Sequence, residues 1–132
     1  MDMSAAATRY LLTIYRLSGE GTPVRSVEIA RALEVSPASV VHMLGVLVGA
    51  ELVNKGYYGR VQLTPRGIWV ANQLHTKCVL LESFLAQELE VEAGTARRDA
   101  VACLCSLSEE SIEGIVRRVL PETAAMLQAS GA

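Results

Sequence analysis

Three cysteines carry the most reactive chemistry in this sequence: Cys78, and the pair Cys103 and Cys105 one residue apart in the run ACLCSL. Thiolates select soft or borderline ions such as Zn²⁺, Cu⁺, Hg²⁺ or arsenite over Mn²⁺. His75, Cys78 and Glu82 recur at i, i+3 and i+7, so on a helix they share one stripe. A site of two or three sulfurs bridging two helices is one use of these residues. Two other uses stay open: small soft side chains filling helix cores, since free cysteine is among the most buried residue types, or a reversible disulfide. Helix geometry divides the pair, because neighbours at i and i+2 diverge by about 200° at roughly 3.6 residues per turn. Only one of them can face Cys78 from a continuous helix. Cys105 shares a face with Val101 and Leu104, and Cys103 shares one with Asp99, so the choice between them rests on which face of that helix meets Cys78.

The rest of the composition is less reactive. No Ser/His/Asp set, phosphate-cradling loop or paired catalytic carboxylates occurs, and His42 and His75 fall on different elements. An enzyme is therefore the least favoured class, confined to cysteine chemistry on soft metals or organometals. Of the 132 residues, 51% are apolar and 20% charged, enough for a core in one domain or in a small domain with an appended helical part. No apolar run approaches the roughly 18–20 residues that span a bilayer. No basic start precedes the first apolar stretch, so a signal peptide is not expected and the cytoplasm is. Thiols there stay reduced, which suits an odd count of cysteines. The net charge is −2, but residues 1–75 carry +2 and residues 76–132 carry −4. That asymmetry permits a nucleic-acid-facing half and a partner-facing half.

The elements that would position these residues are legible in caps and periods. Residues 4–18 predict a helix capped by Ser4. A break at GEGTPV follows, then a short helix in RSVEIARALEV with Ser26 as cap. Glu34 to Ser36 make a tight turn into a third helix, with Ser36 as N-cap and Pro37 at its first position. The period then changes: Leu52–Lys55 and Arg60–Thr64 predict two strands joined by a turn at residues 56–59. A long helix follows from Pro65 to about Val91, capped by Thr64. Two more helices come after it, the second capped by Ser108 and ended by Pro121, with a short tail helix or frayed end beyond. Helix, helix, turn, helix, hairpin and long helix is the plan of a winged helix-turn-helix, in which the third helix enters the major groove.

On that helix Val40, Met43, Leu44 and Leu47 are expected inward, and Ala38, Ser39, Val41, His42, Gly45 and Val46 outward. Of these only Ser39 and His42 can hydrogen-bond a base or phosphate, with the Ser36 cap just before them as a further DNA-binding candidate, while Ala38 and Val41 could touch thymine methyls. Lys55, Tyr57, Tyr58 and Arg60 on the hairpin, with Arg25 and Arg31, are candidates for phosphate contact, which positions a protein without reading sequence. Weak or unusually apolar base reading is expected.

The segments YLLTIYRL, VRSVEIARALEVSPASVVHMLGVLVGAELV, GYYGRVQLTPRGIWVANQL and LLESFLAQ resemble the DtxR/MntR family of metal-dependent repressors. The likeness spans residues 7–120 and is best over 24–88. It implies a mainly α fold: a winged helix-turn-helix domain over residues 1–75, then a helical dimerisation and effector region over 76–132. It also implies a homodimer on double-stranded operator DNA, with no membrane partner. At this length the shorter, manganese-type plan without an SH3-like domain is expected. The family's Mn²⁺ or Fe²⁺ ligands, carried over by position, fall on Arg9, Leu12, Cys78, Val101, Leu104 and Cys105. A cation and two leucines cannot hold such an ion, so Mn²⁺ and Fe²⁺ are not expected. The Cys78/Glu82 pair matches a histidine/glutamate pair of an ancillary site in some members, which together with His75, Cys103 and Cys105 defines the candidate site for a thiophilic ion. The alternative to a regulator is a winged-helix interaction module that kept the fold and lost DNA.

Overall fold

A computed structural model describes residues 3–19 and 21–129, with side chains through Leu120. The chain is mainly helical with one small sheet, and divides into two compact units, Met1–Leu74 and His75–Ala132. Among the described residues no single helix is long and apolar enough to cross a membrane.

The first unit begins with α1 (Ala5–Ser18), where the Ser4 hydroxyl accepts from the Ala7 N–H at 3.0 Å. Helices α2 (Ser26–Leu33) and α3 (Pro37–Gly49) are bent by 112° to one another, within the ~90–120° range of helix-turn-helix pairs. Glu34 makes the turn in a left-handed conformation at φ 55. Ser36 caps α3 by accepting from the Ser39 N–H at 3.1 Å.

Ser26, expected as the cap of α2, is instead its first helical residue, and Arg25 holds the cap position without a side-chain bond. The cause is tertiary. An N-cap residue needs extended dihedrals, and Arg25 has them because Val24–Arg25 forms a short strand, β1. This strand was not expected from the sequence. It pairs antiparallel with β3 (Arg60–Leu63), which pairs in turn with β2 (Val53–Lys55), giving the order β1-β3-β2. Val53, Val61 and Leu63 face the core, while Asn54, Arg60 and Gln62 face out, as the period of two requires. The core joins Leu11 and Ile14 of α1, Ile29 of α2 and Leu44 and Leu47 of α3 to the buried valines of the sheet. Each such side chain contributes about 1.5–3 kcal/mol by burial.

Thr64 caps α4 (Pro65–Ser83), accepting from the Gly67 N–H at 2.9 Å while its own hydroxyl donates to the Glu51 carbonyl at 2.7 Å. The expected single helix to Val91 stops early. It widens into one π turn over Phe84–Glu88 and reverses at Glu90 (φ 56), so that Glu92 can cap α5 (Ala93–Ser106). Ser108 caps α6 (Glu109–Ala129), accepting from the Ser111 N–H at 3.2 Å. Pro121 does not end α6, whose backbone continues to Ala129. An alanine-rich tail, high in helix propensity, offsets the one backbone N–H that proline removes. The last residues of the expected tail, 130–132, lie outside the described residues. In the second unit Cys78, Leu81 and Ala100 form the buried centre, with Leu85, Val101, Cys103, Leu104 and Ile115 against it.

Candidate nucleic-acid interface and thiol cluster

Helix α3 presents two unlike faces. Val40, Leu44 and Leu47 are buried and Met43 half-buried, while Ala38, Ser39, Val41, His42, Gly45 and Val46 are exposed. Val41 keeps 59% of its surface in solvent. Ser36 and Ser39 are tied together, the Ser36 hydroxyl donating to the Ser39 hydroxyl at 3.0 Å. The polar reach of this face is therefore Ser39 and His42 alone.

The hairpin β2–β3 is the wing. Its turn is a short 3-10 segment, Tyr57–Gly59, closed by the Gly56 N–H donating to the Arg60 carbonyl at 2.8 Å. Tyr57 is 88% and Tyr58 95% exposed. Tyr58 lies in the left-handed region at φ 60, ψ 36, a conformation common for glycine and asparagine and unusual for a bulky aromatic.

The β1–β3 register sets Arg25 directly opposite Arg60, both exposed. Like charges facing each other across a strand pair repel, and neither guanidinium makes an ion pair among the described residues. Arg25, Ser26, Val27, Tyr58 and Arg60 line an open cavity of about 440 Å³. Lys55, Tyr57, Tyr58 and Arg60, with Pro23, Asn54 and Gln62, line a second open cavity of about 390 Å³. From Leu52 to Leu81 the chain has no Asp or Glu, and carries Lys55, Arg60, Arg66 and Lys77.

Sequence reasoning named the individual wing residues but not their pairing. A strand of two residues leaves no alternation to detect, so the Arg25/Arg60 opposition became visible only with the sheet. The left-handed Tyr58 had a weak signal in the Gly59 that follows it.

The candidate ligands of the second unit are brought together only in part. Cys78 is 1% exposed and sits on Leu81 and Ala100. Cys103 packs against that cluster, whereas Cys105, the expected partner, is half-buried and outside it. The buried face of α5 begins at Ala96 and Ala100, and a helix carries that face on to residues 103 and 104. Glu82 lies 3.8 Å from Arg97, and His75 is half-buried at the start of the unit. Among the described residues no three His, Cys, Asp or Glu side chains converge as a metal site. In the first unit Arg9 is exposed and Leu12 buried. Val101 and Leu104 are half-buried in the second unit.

Comparison with known proteins agrees with this architecture. The profile of the iron dependent repressor N-terminal DNA binding domain matches residues 2–61. An uncharacterized HTH-type transcriptional regulator of Methanocaldococcus jannaschii is 30% identical over 112 residues, covering 84% of this chain and 90% of that protein. The crystal structure of T. acidophilum IdeR superposes with a TM-score of 0.73 at 23% identity, over 89% of this chain and 55% of that one. The structure of the manganese regulator SloR does so with a TM-score of 0.71 at 27% identity, over 89% of this chain and 54% of that one. The chain thus spans about half the length of those two solved proteins.

Proposed function

Since the chain belongs to the iron dependent repressor family of DtxR/MntR-like transcriptional regulators, we propose that it binds double-stranded operator DNA as a homodimer without the family's Mn²⁺ or Fe²⁺ corepressor. The observation that carries the DNA reading is the Arg25/Arg60 pair, two unpaired cations held face to face where a phosphate would relieve their repulsion. Lys55 and the acid-free stretch around it extend the same surface. Ser39 and His42 supply the few polar contacts to base edges, and Ala38 and Val41 the apolar ones. The dimer reading is supported by the large apolar side chains that the second unit leaves exposed, Val79, Leu89, Leu107 and Leu120.

The loss of the Mn²⁺/Fe²⁺ response is supported by the donor set, in which arginine, leucine and valine stand where ligands are implied. What remains is sulfur. Cys78 and Cys103 share one cluster, with Cys105, Glu82 and His75 as further candidates, and a thiophilic ion (Zn²⁺, Cu⁺, Hg²⁺ or arsenite) is the class they would take. The family regulates transcription, so the enzymatic alternative is set aside. A winged-helix interaction module remains the second reading, favoured by the exposed Val41, Val46 and Val48 on α3.

Mobility shift on the chain's own promoter at low salt, with and without each ion, tests the proposal. Binding that does not need Mn²⁺ is expected, and no binding at all would sink the DNA reading in favour of the interaction module. Native mass spectrometry after exposure to the same ions reports dimerisation and metal stoichiometry together.

A further inference from the structure

We propose that the wing tip is a DNA-deforming wedge, in which Tyr58, with Tyr57 beside it, enters the minor groove and stacks into a flexible base step. This rests on the DNA reading above and deepens it by saying how sites are chosen. The two rings are almost wholly in solvent, with centroids 6.5 Å apart and planes inclined at 52°, so they are splayed rather than stacked on each other. Tyr58 occupies a left-handed position that glycine or asparagine would hold with less strain. The turn itself therefore does not call for tyrosine there, and strain kept at an exposed tip points to a use for the ring.

The setting selects the partner. Arg25 and Arg60 line the same cavity as Tyr58, and Lys55 joins Arg60, Tyr57 and Tyr58 in lining a second. The tip is thus an aromatic edge beside cations, with no Asp or Glu in the stretch Leu52–Leu81. Phosphates on these cations would hold the ring against the groove floor. Proteins that insert apolar side chains into the minor groove unstack and kink the duplex there, and pyrimidine–purine steps yield most readily. The outer face of α3 offers only Ser39 and His42 for polar base reading, so deformability is the selectivity this surface is equipped to exert.

The test uses the whole chain and end-labelled duplexes that differ only in carrying a TA or a GC step at an A/T-rich centre. Energy transfer between the ends reads bending, 2-aminopurine at the step reads unstacking, and anisotropy reads binding. Wild-type protein is expected to bend the TA duplex, raise its 2-aminopurine emission and prefer it about tenfold, the scale of one stacked base. Tyr58→Gly, which relieves the backbone strain and should fold at least as well, is expected to bind the TA duplex more weakly at an unchanged salt slope, losing the bend, the emission and the preference. Wild-type binding without a bend, a Tyr58→Gly protein that bends DNA like wild type, or tighter binding to the unpaired strand would each overturn the wedge. Failure to bind any duplex at low salt would overturn the DNA reading with it, whereas binding without bending overturns the wedge alone.

Discussion

Glu92 is a single residue on which the start of α5 depends. Its carboxylate accepts from the Gly94 N–H at 2.9 Å and the Thr95 N–H at 3.0 Å. Those two bonds, Gly94 first, hold its pKa below the ordinary value of 4.5. A carboxyl lowered on folding stabilises the fold fully above its unfolded value and loses that effect as pH falls through its folded value. Protection of the Thr95 amide, its exchange taken relative to the intrinsic rate at each pH, is therefore expected to fall only below the normal carboxylate range, and Glu92→Gln should flatten that dependence. An unchanged profile in the variant would separate Glu92 from the acid response. The thiols give a second expectation. A buried thiol in apolar surroundings is slow to react, so alkylation of the native protein should label Cys103 and Cys105 and spare Cys78 until urea unfolds the chain. Labelling of Cys78 at the rate of the other two would contradict its burial. Caps at Ser4, Ser36, Thr64 and Ser108 were legible because each is a bond within one turn of chain. Helix spacing alone gave the expectation that one of Cys103 and Cys105 faces Cys78. Both are half-buried, and the packing of Cys103 on the cluster follows the buried face that starts at Ala96 and Ala100, alanines with too little hydrophobic signal to reveal it from sequence.

At the scale of elements, α3 combines a sound cap with two glycines in open space. A Cβ at Gly45 or Gly49 would meet nothing within 4 Å. Gly45→Ala and Gly49→Ala are each expected to stabilise the protein by about 0.5–1 kcal/mol through reduced backbone entropy, read as a raised urea midpoint at constant slope. Gly45 lies on the exposed face with His42, so Gly45→Ala should weaken DNA binding while strengthening the fold if that face meets the groove. Gly67 behaves oppositely. A Cβ there would overlap the Leu52 carbonyl, the same group that accepts from the Thr64 N–H at 3.0 Å. Gly67→Ala is expected to destabilise by about 1–3 kcal/mol or more, the range of overpacked cores, and a neutral result would show that α4 can shift off the sheet. The hairpin and the helix-turn-helix were readable because their turns are short and their periods change abruptly. The strand Val24–Arg25 and the π turn at Phe84–Glu88 were not, since both are imposed by neighbours: the first by β3, the second by the reversal that frees Glu92.

For the molecule as a whole, charge placement decides how it should meet DNA. The net charge of −2 alone would argue against a polyanion as partner. The negative charge is concentrated in residues 76–132, however, and among the charged residues of the stretch Leu52–Leu81 all are cations. Affinity should therefore come chiefly from counterion release, falling steeply as salt rises, with a slope of about 0.9 for each phosphate neutralised. Arg25→Gln and Arg60→Gln are each expected to lower that slope by about one, with the loss spread evenly over all sequences. Substituting Ser39 or His42 should leave the slope alone and change preference at a base. The corepressor question belongs to this scale too: on the proposed reading, DNA binding needs neither Mn²⁺ nor Fe²⁺. Chelation with EDTA should leave the salt-dependence curve of wild-type protein unmoved, and added Mn²⁺ should not shift it. If Mn²⁺ instead raised affinity in a variant with Cys78, Cys103 and Cys105 all changed to serine, a hard-ligand site would have to be assembled from residues other than these, and the metal-independent reading would fall.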